Sequence, residues 1–417
     1  MFTKKKITHG LSINLLFTKN LIIVWAVLLL FFTPAALMYG IHFSALYEYI
    51  KYLRCAVCLI FVSLSLFRNG CRTSKLYLSL YFFFISLLIS SLFGDLNIFS
   101  WINTMLSIIG IYYFIEYYSR KDIFSFLYYC FLYFFVLLAI NNILMIVSPN
   151  ELITVRNQLG NQSFYFLTSK NTFAMFCFPL LLFSHLCYEQ KMISNIVLIL
   201  STIFAIMPIL IVHSVTSTVC VLLFEFVVIL LSKKQGKIFN AKFWIILITI
   251  LSALQFAFTY IFSNETVQYI IITLLKKDPT LSGRSFLFTS AHELIGEHLL
   301  LGMGNGMDGY YYYTVAPGYD TGGIMWAHNT SLDLLTQGGM ILFIFFYVVM
   351  FFAFKNIFME RKHTNRNYLI IICMLAIYTV MGFTERFGFR YDLHLVFALA
   401  SVSNVMKKKS IIPLIKV

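Results

Sequence analysis

Long apolar runs separated by short polar stretches dominate the chain. A membrane span needs about 20 mostly apolar residues. By that measure the first half holds runs near Leu21–Met38, Tyr52–Phe67, Leu76–Phe93, Leu96–Tyr118, Ile123–Val147 and Thr172–Cys187. The second half holds Asn195–Val212, Val215–Leu231, Phe243–Phe262, Leu334–Phe354, Tyr368–Phe383 and Leu393–Met406. The pattern predicts an all-α, polytopic integral membrane protein with about twelve transmembrane helices. Residues 1–417 form one membrane domain, and the run from Leu21 is read as a retained first helix because no small-residue cleavage signal follows it.

The polar stretches fix an orientation. Starting from a cytoplasmic N-terminus with Lys4, Lys5 and Lys6, every second connection is basic: Arg68, Arg72 and Lys75; Arg120 and Lys121; Lys191; Lys233, Lys234, Lys237 and Lys242; then Lys355, Arg361, Lys362 and Arg366. The tail ends in Lys407, Lys408 and Lys409. Basic loops stay on the cytoplasmic side, so both termini are placed there and the remaining loops outside.

Composition agrees with a lipid solvent. Hydrophobic residues make up 60% of the chain and charged residues 12%, about half the usual charged share of a soluble domain. The net charge of +14 is accounted for by these loops, so nucleic acid is not an expected partner. Most of the eight cysteines lie inside apolar runs, and none falls in the long polar segment placed outside. Cys55 and Cys58 form a C-x-x-C inside such a run with no second pair, which reads as core packing. No disulfide is expected.

Two outer loops are long enough for chemistry: 148–171 and 263–333, the latter of about 70 residues, far beyond an ordinary connector. In it Lys276, Lys277 and Arg284 stand against Glu265, Asp278, Glu293, Glu297, Asp308 and Asp320. Leu287, Ala291, Leu294, Ile295 and Leu299 recur at helical spacing and predict an amphipathic helix from about Ser285, on the membrane surface or capping the bundle. Gly302-Met-Gly304-Asn-Gly306 lacks the strand and helix of a dinucleotide loop and reads as a glycine turn. His292-Glu293 lacks the second histidine of a zinc helix, since Gly296 stands in its place. Glu225 lies inside an apolar run, where an acid marks either function or a helix-to-helix hydrogen bond.

The ordered set Ser282-Gly283-Arg284, Leu301-Gly302-Met-Gly304-Asn-Gly306, Ala327-His328-Asn329-Thr-Ser-Leu332 and Leu335-Thr-Gln-Gly338-Gly339 resembles the O-antigen polymerase and O-antigen ligase superfamily. The resemblance runs from about Thr154 to Phe397. It takes in Arg156-Asn-Gln-Leu-Gly160-Asn161, the helix start Lys170-Asn171-Thr-Phe-Ala174, and a late Glu385-Arg386. Thr216-Ser217-Thr218 departs from the pattern, which often has an arginine after the serine, so no role is carried over there.

This resemblance implies glycosyl transfer from a polyprenyl (undecaprenyl) diphosphate-linked glycan on the outer face of the bacterial cytoplasmic membrane. The acceptor is a second lipid-linked repeat or a lipid A–core sugar, membrane lipid is the surroundings, and a chain-length regulator is a potential partner. Chemistry supports the assignment of Arg284 and His328 as catalytic residues. A guanidinium grips phosphate oxygens in a planar fork and keeps its charge, and an imidazole titrating near 6.5 can accept the acceptor's hydroxyl proton. Arg156, Asn329, Glu385 and Arg386 are the substrate-binding candidates. A diphosphate leaves without protonation and no D-x-D-like motif is present, so no metal and no cofactor are expected. The aromatic-rich spans incline the reading to a polymerase; the alternatives are a ligase and, from another class, a secondary transporter or glycan flippase.

Overall fold

The computed structural model describes residues 19–39, 44–68, 74–94, 97–148, 152–157, 160–233, 241–264, 266–267, 269, 284–305, 327–359 and 365–410. Cys71, Lys276, Lys277, Glu265, Asp278, Asp308 and Asp320 lie outside them.

Each apolar run is a helix. In chain order these are α1 (Lys19–Phe31), α2 (Ala35–Tyr39), α3 (Ser44–Arg68), α4 (Lys75–Phe93), α5 (Ile98–Val147), α6 (Ala174–Glu189), α7 (Asn195–Ile211), α8 (Val215–Lys233) and α9 (Ala241–Ser263). They continue with α10 (Arg284–Glu297), α11 (Thr330–Phe358), α12 (Arg366–Met381), α13 (Tyr391–Ser401) and α14 (Ser403–Ser410). Polar caps open several: Ser74, Asn97, Ser194 and Asn365 each accept a backbone N–H of the first turn, satisfying donors that a helix leaves unpaired. Among the described residues, five helices are long and apolar enough to cross a membrane, and six shorter apolar ones stand beside them. The chain is an all-α polytopic membrane protein.

Three details differ from the simple string of spans. The first run breaks at Phe32–Pro34 into α1 and α2, because Pro34 has no N–H to continue the ladder. The fourth and fifth runs are joined in α5, whose 50 residues would extend about 75 Å at 1.5 Å each, over twice a bilayer core. Asp122 breaks that helix (φ −158°, ψ 98°) directly after Arg120 and Lys121, so it is two spans meeting at a basic corner. Finally, the loop 148–171 contains an antiparallel hairpin, β1 (Ile153–Asn157) and β2 (Gly160–Phe164), with Arg156 opposite Asn161. The sequence reading places no strand there: the segment shows little of the apolar alternation that marks one.

The predicted amphipathic helix is α10. It buries Leu287, Phe288, Ala291 and Ile295 against Ala327, Leu332 and Leu335, with Phe256 and Phe258 of α9 and Met340 of α11 around them. It therefore caps the bundle. Leu299, placed on its face by spacing, falls beyond the helix end and is exposed.

The glycine turn after α10 docks on a break in α11. Gly339 is left-handed there (φ 61°), which frees backbone groups in mid-helix. The turn takes them up: Met303 N–H donates to Thr336 O (2.7 Å), Gly304 N–H to Gln337 O (2.8 Å), and Met340 N–H to Leu299 O (2.8 Å). Ser90 of α4 donates to the carbonyls of Gln337 and Leu301. Gly302 is left-handed too (φ 66°), and a β-carbon on it would sit 2.6 Å from the amide nitrogens of Gly338 and Gly339. A Gly302→Ala protein in detergent is expected to show a clearly lower melting midpoint. The φ alone costs about 1–2 kcal/mol with a β-carbon, and the backbone clash adds to it. An unchanged midpoint would mean the two segments are not in close contact.

Loop-to-loop bonds gather the connections at two ends. At one, Ala35 N–H donates to Leu167 O (2.8 Å), Asn305 N–H to Ser91 Oγ (2.9 Å), and Thr330 N–H to Gly382 O (3.0 Å). At the other, the basic connections meet: Arg366 pairs with Glu189 (3.1 Å) and Lys121 with Asn20 (3.0 Å). Glu225, open between two readings in the sequence, is a helix-to-helix link. It accepts from Thr202 (3.1 Å) and meets His185 Nε2 at 3.1 Å.

Candidate active site

The segment before α11 and the segment after α12 lie side by side at the loop-bearing end. Asn329 ties them. Its Oδ1 caps α11 by accepting from Leu332 N–H (3.1 Å), and its Nδ2 donates to Gln255 O (3.1 Å) and Phe383 O (3.3 Å). Thr330 Oγ1 donates to Glu385 O (2.9 Å) and accepts from Phe387 N–H (3.0 Å). Asn329 is fully buried with both ends of its amide engaged by protein, so here it holds two segments in register.

That register sets two polar rungs next to each other. His328 Nδ1 lies 3.6 Å from Glu385 Oε2, with the imidazole side chain 28% exposed. Arg386 Nη1 lies 3.7 Å from the buried Asp333 Oδ1, which also accepts from Gln337 Nε2 (3.0 Å). Nδ1 of His328 has no hydrogen-bond partner among the described residues. The backbone of His328 is left-handed (φ 47°), a conformation that a residue with a β-carbon adopts only when its surroundings hold it there. The turn aims the imidazole toward Glu385 instead of continuing into α11.

Beyond the rungs is a polar cavity of about 180 Å³ lined by Ser100, Thr104, Asn305, Asp333, Arg386 and Arg390, among others. Arg390 reaches it with its fork closed on Asp392: Nε to Oδ1 at 3.0 Å and Nη2 to Oδ2 at 2.9 Å. Tyr378 OH also donates to Asp392 (3.0 Å). Behind the wall, Arg54 is only 6% exposed. It donates to Leu30 O (3.2 Å) and Asn103 Oδ1 (2.9 Å) and lies over the Tyr391 ring at 5.0 Å. Among the described residues no carboxylate pairs with it. A charge buried at that depth is costly unless its donors are used.

The sequence-derived candidates therefore fall into three groups. His328, Glu385 and Arg386 come together with Asp333. Asn329 joins them as the buried tie. Arg284 opens α10, the helix that roofs the same end, and Arg156 sits on β1; the side chains of both lie outside the described residues. Pattern and motif do not single out Arg54, Asp333 or Arg390, and they read Asn305 only as part of the glycine turn. The available signals were a lone arginine in the second apolar run and the Arg390–Asp392 pair at the start of the last.

His292, beside the incomplete zinc pattern, is occupied otherwise. Its Nε2 meets Thr259 Oγ1 (2.9 Å), its ring stacks on Tyr260 (3.7 Å), and burial lowers its pKa to about 4. Among the described residues no group of three His, Cys, Asp or Glu is placed to hold a metal ion. The seven described cysteines are free.

Residues 202–347 match the family model described as O-antigen ligase. The match contains Arg284, His328, Asn329 and Asp333. The segment around Arg156 and the Glu385–Arg390 stretch lie outside it, so it is narrower than the resemblance read from the sequence. No curated protein matches the chain.

Proposed function

We propose that this chain, whose residues 202–347 match the O-antigen ligase family model, is a glycosyltransferase-like membrane enzyme that polymerises lipid-diphosphate-linked repeat units. The reaction takes place on the outer face of the cytoplasmic membrane, with both termini inside. The observation that carries this reading is the imidazole of His328 facing Glu385 at 3.6 Å, next to the Arg386–Asp333 pair that lines a polar cavity.

The chemistry follows from those groups. Glu385 favours the tautomer with the proton on Nδ1, which leaves Nε2 of His328 free to accept. The acceptor hydroxyl oxygen attacks the anomeric carbon, and its proton passes to Nε2 as the new glycosidic bond forms. The bond from the anomeric carbon to the phosphate oxygen breaks, and the lipid diphosphate departs with the electron pair. Charge on that leaving group grows as it separates. Arg284, with Arg156 as its second cation, stabilises it, and such stabilisation is worth most where water is scarce. The left-handed turn at His328 keeps the base from drifting with the helix.

The leaving group needs neither a proton nor a metal, so purified protein is expected to keep its turnover after EDTA treatment and dialysis. A loss restored only by a divalent ion would overturn the metal-free mechanism.

Polymerase and ligase share this donor chemistry, and the matched family's description names a ligase. They differ in the acceptor: a second lipid-linked repeat, or the lipid A–core sugar. Lipopolysaccharide from a deletion strain separates them. Single-repeat caps on the core are the result expected for loss of a polymerase, and core without any cap would assign the ligase activity.

A further inference from the structure

We propose that the cavity lined by Asn305, Asp333, Arg386 and Arg390 is a saccharide subsite that takes a single neutral pyranose ring of the glycan. The assignment rests on the glycosyl-transfer reading and adds the place where sugar identity is read.

Charge separates this ligand from the diphosphate. Both cations at the cavity are already matched by acids: Arg386 by Asp333 at 3.7 Å and Arg390 by Asp392 through two bonds of 3.0 and 2.9 Å. A phosphate there would meet the Asp333 carboxylate and the Asn305 carbonyl oxygen, both of which repel it. A hydroxyl is welcome at the same atoms. Asn305 is 6% exposed; its N–H and Nδ2 are used on Ser91 Oγ and Asn97 O, both at 2.9 Å. Its Oδ1 is buried with no partner among the described residues. A buried acceptor left unpaired is costly, and a ligand hydroxyl donating to it removes that cost.

The other requirements of a sugar are present in the same wall. Asp392 takes Nε–H and one Nη2–H of Arg390, so the remaining guanidinium donors can serve hydroxyl or ring oxygens. Ser100 and Thr104 bring hydroxyls one helical turn apart on α5. Phe389 and Tyr391 also line the space and offer apolar faces to the C–H side of a ring, with the Arg54 guanidinium behind Tyr391 at 5.0 Å. The cavity volume, about 180 Å³, is enough for a small ligand and not only for a single water.

The test is saturation-transfer NMR on the full chain in lipid nanodiscs without any lipid-linked donor. The probes are the methyl pyranosides of a neutral hexose, a 6-deoxyhexose and an N-acetylhexosamine, with inorganic pyrophosphate as competitor. At least one pyranoside is expected to bind saturably and to resist competition by pyrophosphate. Ser100→Trp and Thr104→Trp, which fill the cavity from two turns of α5, should each weaken it by about tenfold or more, ~1.4 kcal/mol. Absence of saturable binding by all three pyranosides overturns the subsite, as does unweakened binding in either correctly inserted tryptophan variant. Displacement by pyrophosphate overturns it in favour of an anion site. No turnover is read, so these outcomes stand apart from the fate of the His328 mechanism, which is judged by transfer alone.

Discussion

Replacing His328 with alanine is expected to abolish glycan transfer while the protein remains inserted and abundant. A positioned general base contributes about 10²–10⁴-fold to a rate, and no other imidazole meets the described part of this site. The substitution is clean for a structural reason. His328 is left-handed (φ 47°), and alanine keeps the β-carbon that makes this conformation unfavourable, so the backbone penalty is unchanged. The side chain is 28% exposed and its nearest ionic partner is 3.6 Å away, so little packing is lost. The measurement is polymer formed per unit of membrane-inserted protein, from lipid-linked repeats. Wild-type amounts of polymer from the alanine protein would remove the general-base role.

Arg284→Lys is expected to lower turnover by about 10²–10³-fold, the range seen when one preorganised donor to a developing anion is lost. Lysine keeps the charge but offers a point cation on a flexible stem where arginine presents a planar fork. The position opens α10, whose Leu287, Phe288, Ala291 and Ile295 pack under the roof of the bundle, so the helix itself should survive the exchange. Single-turnover transfer from a lipid-diphosphate donor separates the cases. A lysine protein with near wild-type turnover would show that charge alone suffices and that the fork has no role.

Much of this architecture is legible in the chain. A membrane span is specified locally, by about 20 consecutive residues whose side chains suit lipid and whose backbone bonds close within the segment. The run lengths thus locate the helices, and Leu287, Ala291 and Ile295 locate the capping helix by period alone. His328, Glu385 and Arg386 could be named because their motifs, taken together and in order, resemble those of the O-antigen polymerase and ligase superfamily. The hairpin at Ile153–Phe164 and the break at Gly339 were less visible. Strand pairing in a polar loop leaves little local period, and an interrupted helix persists only because the Leu299–Gly304 turn takes up its backbone groups.

By itself, then, the sequence determined the solvent this protein folds in, the helices that cross it and the cluster of motifs on one long loop. Only the tertiary structure decided that Asn329 is a buried tie, and that Asn305, Asp333, Arg386 and Arg390 share one cavity. Those residues belong to segments far apart in the chain, and helical period tells which face a side chain occupies but not which distant face it meets. That meeting is set by how the helices pack, a property of the whole bundle.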